Sequence, residues 1–118
     1  MRDTVTKLDT KSMAWEDVYN EAAGANLYRK TLAEDPETGV TVRITKYPAG
    51  FINPRHDHPC AHGMYVLKGT LRTSEGDFAP GAFLWFPEGE VMWHGATADE
   101  DVEIVFITNK KFEINYDV

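Results

Sequence analysis

The punctuation of this chain constrains its fold more than any other feature. Gly69, Ser74-Glu75-Gly76, Pro80-Gly81, Pro87-Glu88-Gly89 and Ala98-Asp99-Glu100 cut the second half into runs too short for ordinary helices. Those runs, over 64–67, 70–73, 77–78, 82–86, 91–93 and 102–108, read as strands, and a weaker one follows over 112–116. Earlier, residues 26–32 and 40–47 flank the cluster Glu34-Asp35-Pro36-Glu37-Thr38-Gly39, whose proline and glycine suit a reversal between strands. In the second of these runs Val40, Val42 and Ile44 alternate with Thr41, Arg43 and Thr45, which puts the apolar set on the expected covered face. Many short strands at close spacing predict an all-β sandwich or barrel. Residues 12–19 read either as a one- or two-turn helix capped by Ser12 or as irregular chain.

At 118 residues the chain has the length of one domain, large enough to bury a core without disulfide staples. Residues 1–11 are polar and aperiodic and are expected to form a flexible arm, with 12–118 as the single domain. A formal charge of −7 sets the chain against nucleic acid and anionic membrane as partners, since both reward clustered Lys and Arg. Cys60 is the only cysteine, and no basic-then-apolar leader or run of spanning length is present, so a reducing, cytoplasmic setting is expected.

The histidines are far from evenly spread. His56, His58, His62 and His94 are the full set, leaving the first 55 residues and the last 24 without any. On extended chain residues i and i+2 share a face, so the His56 and His58 imidazoles can converge on one ion. His62 follows a bend at Pro59 and can return to the same point. His94 needs tertiary folding to join them. Imidazole is a good ligand for zinc, iron(II), nickel and copper, and three histidines with an open position make a catalytic site.

Around these histidines the chain reads Gly50, five residues, His56-Asp57-His58, three residues, His62, six residues and Gly69; later come Gly81, five residues, Pro87-Glu88-Gly89, four residues and His94. This pairing resembles the two motifs of the cupin superfamily and covers about residues 40–108. The resemblance implies a double-stranded β-helix, or jelly-roll barrel, holding one divalent transition metal inside. It places His56 and His58 at the histidine positions of the first motif and His94 at that of the second. His62 stands where the usual glutamate would be, which implies a site of neutral imidazoles. The second motif carries a longer loop before its histidine and no asparagine after it. All-histidine cupins include diketone-cleaving dioxygenases, and residues 50–108 also resemble the anti-sigma-factor type of cupin domain.

Near the motifs, Phe83, Trp85 and Phe106, with Met64 and Val66 on the face shared with His62, are expected to line a substrate pocket, against the plainer reading that they are barrel core. Tyr65 and Leu67 are expected to face the other way. Arg43 can hold an anionic substrate, although Thr41 and Thr45 beside it suggest a solvated face. Asp57 is a candidate partner for a metal-bound histidine. Cys60 reads as a soft ligand or as a small buried residue. Glu90 is the candidate general acid or base beside His94.

The resemblance implies a metal-dependent enzyme acting on a small organic molecule, with iron(II) as the favoured ion and cleavage of a carbon–carbon bond in a diketone or hydroxyaryl ketone as the reaction. The alternatives are a zinc-, nickel- or manganese-dependent isomerase, lyase or cyclase, and a non-catalytic sensor of small molecules. Residues 102–108 are apolar on both faces, from which a homodimer is expected.

Overall fold

In the computed structural model, which describes residues 5–118, almost all regular structure is β. The first four residues of the expected arm lie outside the described part. Next to them, Asp9 caps a single 3-10 turn at Thr10–Ser12, its carboxylate accepting from the Lys11 amide and the Ser12 hydroxyl. The stretch read as a helix or irregular chain is instead the strand β1 (Glu16–Asn20), which pairs with β2 (Ala25–Glu34) across a turn closed by Gly24. Pairing with β2 satisfies the backbone groups along one side of β1, whereas a one-turn helix would leave most of its own unpaired.

The remaining strands are β3 (Thr41–Tyr47), β4 (Ile52–His56), β5 (His62–Lys68), β6 (Leu71–Thr73), β7 (Gly76–Phe78), β8 (Phe83–Phe86), β9 (Met92–Ala96) and β10 (Val102–Thr108). They form two antiparallel sheets, one ordered β1-β2-β3-β10-β5-β8 and the other β4-β9-β6-β7. This is the expected jelly-roll barrel. Met64, Val66, Leu71, Met92, Val102, Ile104 and Phe106 fill the space between the sheets. The segment over 112–116 is a strap rather than a strand: its one β-bridge joins Asn115 to Asp57 through a reciprocal pair of 3.0 Å backbone bonds.

Strand β3 reverses the expected parity. Thr41, Thr45 and Tyr47 are buried and Arg43 shares their face, while Val42 and Ile44 point to the outside of the sheet. The alternation was legible but its sign was not, because β3 sits between β2 and β10 and both of its faces are partly covered.

Strand β10 also explains its apolar run. Val102, Ile104 and Phe106 enter the core, while Val105 and Ile107 lie on the outer face. There they stand level with Ile44 and Val42 of β3 on one side and with Tyr65 and Gly63 of β5 on the other. Phe83 and Trp85 of β8 continue the same face, 58% and 49% exposed. The Phe83 ring covers Gly63, where a Cβ would come within 2.9 Å of it. A contiguous apolar face of this kind marks an association surface more often than chance exposure does. The homodimer expected from the sequence would find a contact surface here: light scattering at micromolar concentration should then return about twice the 13.3 kDa chain mass, and a monomer would remove that expectation.

Candidate metal centre

All four histidines are buried in the barrel. His56 ends β4, and its Nδ1 lies 2.5 Å from the carbonyl oxygen of Pro54, at an irregularity in the β4–β9 pairing. His58 follows just beyond the strand, and its Nδ1 lies 2.7 Å from the Glu113 carbonyl of the C-terminal strap. A carbonyl only accepts, so in each ring Nδ1 carries the proton and donates it, leaving Nε2 as a lone pair directed inward. These two carbonyls fill the role considered for Asp57, whose backbone is taken up by the bridge to Asn115.

His94 arrives on β9 directly opposite Asn53 of β4. The neighbouring Gly95 makes that approach possible: a Cβ there would collide with the Phe51 carbonyl oxygen and come within 2.8 Å of the Ile52 Cα. Ring centroids of His56 lie 4.7 Å from His58 and 4.9 Å from His94. One ring nitrogen from each of His56, His58 and His94 lies within 4.8 Å of the others, a grouping able to hold one metal ion.

His62, at the start of β5, stands 4.6 Å from His58 by centroids, stacked on Phe86 at 5.1 Å. It belongs to the cluster but stays outside the three-nitrogen group. Among the described residues, neither nitrogen of His62 or His94 has a partner, nor does Nε2 of His56 or His58. Buried polar atoms are rarely left this way, and the six atoms concerned are all ring nitrogens of a ligand-type residue. That donor set fits a borderline divalent ion.

Burial holds every one of these rings neutral. It lowers His56 below its ordinary value, brings His58 down to about 4 and His62 to about 3, and pushes His94 well below the usual range. The neighbouring histidines add to the effect at His58, His62 and His94, while the Pro54 and Glu113 carbonyls oppose it at His56 and His58. A neutral imidazole is the form that ligates.

Beside the histidines is a cavity of about 590 Å³ with His58 and His94 in its wall, within the usual size for a small-molecule site. Phe106 and Arg43 lie in its wall, and the face of Arg43 is interior rather than solvated. The other expected lining residues do not reach it. Met64 and Val66 share the face of His62, but both are wholly buried in the core. Phe83 and Trp85 fall on the outer side of the sheet because they alternate with Leu84 and Phe86, which turn inward. Glu90 is exposed in the loop after Gly89 and lies outside the cavity wall. Cys60 is buried as a small residue at the bend, outside the metal-holding group, and burial raises its thiol above the ordinary value.

The rest of the wall comes from segments that the motifs do not reach. The β1–β2 hairpin contributes Val18, Tyr19, Asn20, Leu27 and Arg29, and the strap contributes Phe112, Ile114 and Tyr116. The Tyr116 hydroxyl donates to Asn53 Oδ1 at 2.7 Å and accepts from Asn20 Nδ2 at 3.1 Å. This network lies next to the cluster, with the Tyr116 ring 5.6 Å from His56. No spacing or composition signal ties Asn20, Asn53 and Tyr116 together in the chain.

A model of the ChrR cupin-like domain matches residues 3–113. The chain belongs to that family. No curated protein matches this cupin by sequence. Among solved structures, the polyketide cyclase RemF from Streptomyces resistomycificus superposes with a TM-score of 0.81 at 15% identity, covering 98% of this chain and 87% of that one. A candidate acetylacetone dioxygenase from Methylibium petroleiphilum gives 0.77 at 14% identity, over 92% and 81%. The anti-sigma ChrR from Rhodobacter sphaeroides, solved in complex with SigE, gives 0.68 at 18% identity, over 85% of this cupin and 51% of that chain. At these identities the likeness is one of fold.

Two outcomes are expected from the cluster. Elemental analysis after reconstitution should find about one ion per chain, lost in His58→Ala, His56→Ala and His94→Ala but largely kept in His62→Ala. Full occupancy in the His56/His58 double alanine variant would overturn the site. Metal-free protein should also be acid-sensitive. The unfolded chain takes up protons near the ordinary 6.5 while folded His58 resists until about 4, so stability is complete above that window and falls as the pH drops through it. The urea midpoint measured against pH reads this directly, and a midpoint unchanged between about pH 7 and pH 4 would contradict it.

Proposed function

We propose that this cupin is a non-haem iron(II) dioxygenase that cleaves a carbon–carbon bond of a small diketone or hydroxyaryl ketone. The observation that carries the reading is the partnerless ring nitrogens of His56, His58 and His94 at the wall of the cavity. These three residues would hold the ion, with His62 beside them. When bound, iron(II) supplies a Lewis-acidic, redox-active centre with positions open to two substrate oxygens and to dioxygen. A donor set of neutral imidazoles leaves the full dipositive charge for an enolate, which a carboxylate ligand would partly offset.

The chain's own part is positioning and exclusion. Leu27, Phe106, Phe112 and Ile114 give the cavity apolar walls, which accept the hydrocarbon part of a ketone and keep bulk water away. The Asn53–Tyr116–Asn20 network presents a fixed hydroxyl and two amides beside the histidines, suited to orienting an oxygenated substrate. With Glu90 outside, Glu21 is the carboxylate in the cavity wall, so the reading assigns no carboxylate base beside the histidines. The reading takes the cytoplasm as the working compartment, where the buried thiol of Cys60 stays reduced.

One observation favours a second reading. The exposed apolar face of β10, β5 and β8 would suit a metal-dependent sensor that reports to another chain, as the complex of ChrR with SigE involves a partner. An oxygen electrode separates the two. Iron-loaded protein should consume dioxygen with a 1,3-diketone, zinc-loaded protein should not, His94→Ala should abolish uptake, and Glu90→Gln should leave it unchanged. Turnover of the ketone by zinc- or nickel-loaded protein without oxygen uptake would point instead to isomerase, lyase or cyclase chemistry. No acceleration over free iron(II) across a panel of chelating ketones, with the ion still bound, would leave the sensor.

A further inference from the structure

Two arginines enter the same cavity from the sheet wall. Arg43 of β3 stands level with Phe106 of β10, and Arg29 of β2 stands level with Thr45, two residues along β3 on the same face. The two guanidinium groups are therefore diagonal neighbours across adjacent strands, an arrangement that like charges avoid unless something lies between them. Both are largely withdrawn from water, with side chains 15% exposed for Arg43 and 27% for Arg29.

Among the described residues each has one acidic partner: Glu34 at 3.6 Å from Arg43 and Glu16 at 3.0 Å from Arg29, both carboxylates more than half exposed. Those partners satisfy one edge only. The Nε atoms of both arginines are buried with no acceptor among the described residues. A guanidinium offers its donors as a planar fork, and a buried N–H without an acceptor costs about 1–3 kcal/mol. Burial, and then the charge of Arg29, lowers the pKa of Arg43 from its ordinary value, as expected of two cations held close with too little compensation.

We infer that Arg29 and Arg43 form the recognition site for a carboxylate, and that the molecule bound in this cavity is an organic acid whose carboxylate rests on the two guanidinium groups while its other oxygens face the histidines. The inference rests on the proposed function for the second half of that description only. Phe106 links the two ends, level with Arg43 on the neighbouring strand and 5.3 Å from the His62 ring by centroids, so an aromatic or branched body between the two oxygen-bearing ends fits the wall. A monoanion matches better than a phosphate dianion. Glu16 and Glu34 already balance the two cations in formal charge, and Glu21 stands at the same cavity, so a second negative charge would be repelled.

Calorimetric titration of the full chain with benzoate and with benzamide tests this, because the two probes share shape and differ in charge. Benzoate should bind metal-stripped protein at least about tenfold more tightly than benzamide. Arg43→Gln should lose at least about tenfold of the benzoate affinity, Arg29→Gln a smaller factor, and Arg43→Lys should recover part of it. Arg72→Gln, on the exposed β6–β7 hairpin with Asp77, should bind as the parent does. Thermal melts of each variant establish that it is folded. Equal affinity for benzoate and benzamide, or undiminished benzoate binding by folded Arg43→Gln and Arg29→Gln, would overturn the proposal. Benzoate preference in a protein that takes up no metal on reconstitution would uphold the carboxylate site and overturn the metal-dependent reading. Metal uptake without the preference would do the reverse.

Discussion

Six imidazole nitrogens buried without an acceptor or donor among the described residues are the constraint on which the rest of this barrel turns. Each is a polar atom withdrawn from water, at a cost of about 1–3 kcal/mol where nothing replaces the lost hydrogen bond, and four such side chains in one interior would weaken a domain of this size unless something occupies the space between them. A divalent ion would answer that cost, since the same lone pairs that lose water would gain a positive centre. The surroundings are arranged for the neutral ring. Apolar neighbours such as Phe86, Phe106 and Phe112 stack or tilt against His58 and His62, and main-chain carbonyls at Pro54 and Glu113 set the tautomer of the two histidines nearest the bend.

The two ends of the chain complete what the motifs begin. The strap over 112–116 supplies the Glu113 carbonyl to His58, the Phe112 ring to the same histidine, and the Tyr116 hydroxyl to Asn53. The β1–β2 hairpin supplies Asn20 to that network and Arg29 to the opposite wall. One bridge, between Asp57 and Asn115, anchors the strap next to the first motif, so the placement of the candidate metal ligands and the closure of the cavity are linked. A barrel trimmed of either end would keep its histidines and lose much of the pocket they face.

Where the sequence reading misplaced residues, the cause was a pleat read with the wrong sign. Thr41, Arg43 and Thr45 looked like a solvated face because they are polar, yet they point into the barrel, where the cavity accepts polar atoms, and Val42 and Ile44 lie outside against a partly covered surface. Phe83 and Trp85 looked like pocket lining because they are aromatic and close to the motifs in sequence, yet alternation with Leu84 and Phe86 sends them outward. In both cases composition was taken as a guide to facing. In β5 the position of His62 set the parity instead, and Met64 and Val66 fell on its face and Tyr65 and Leu67 on the other, as alternation requires.

The chain's local chemistry determined most of the turns, the all-β class and the identity of the four histidines, because glycine and proline act on their immediate neighbours and the side-chain period of a strand is a property of the backbone. It also singled out imidazoles as candidate ligands, since all four histidines fall within the two motifs. Tertiary structure alone decided that His94 meets His56 and His58 while His62 stands aside, that Asn20, Asn53 and Tyr116 meet, and that Arg29 joins Arg43. Those encounters depend on which strands become neighbours in two sheets and on which face each pleat turns inward. Both are set by long-range pairing, whose register is a property of the assembled barrel and leaves no trace in the spacing of residues along the chain.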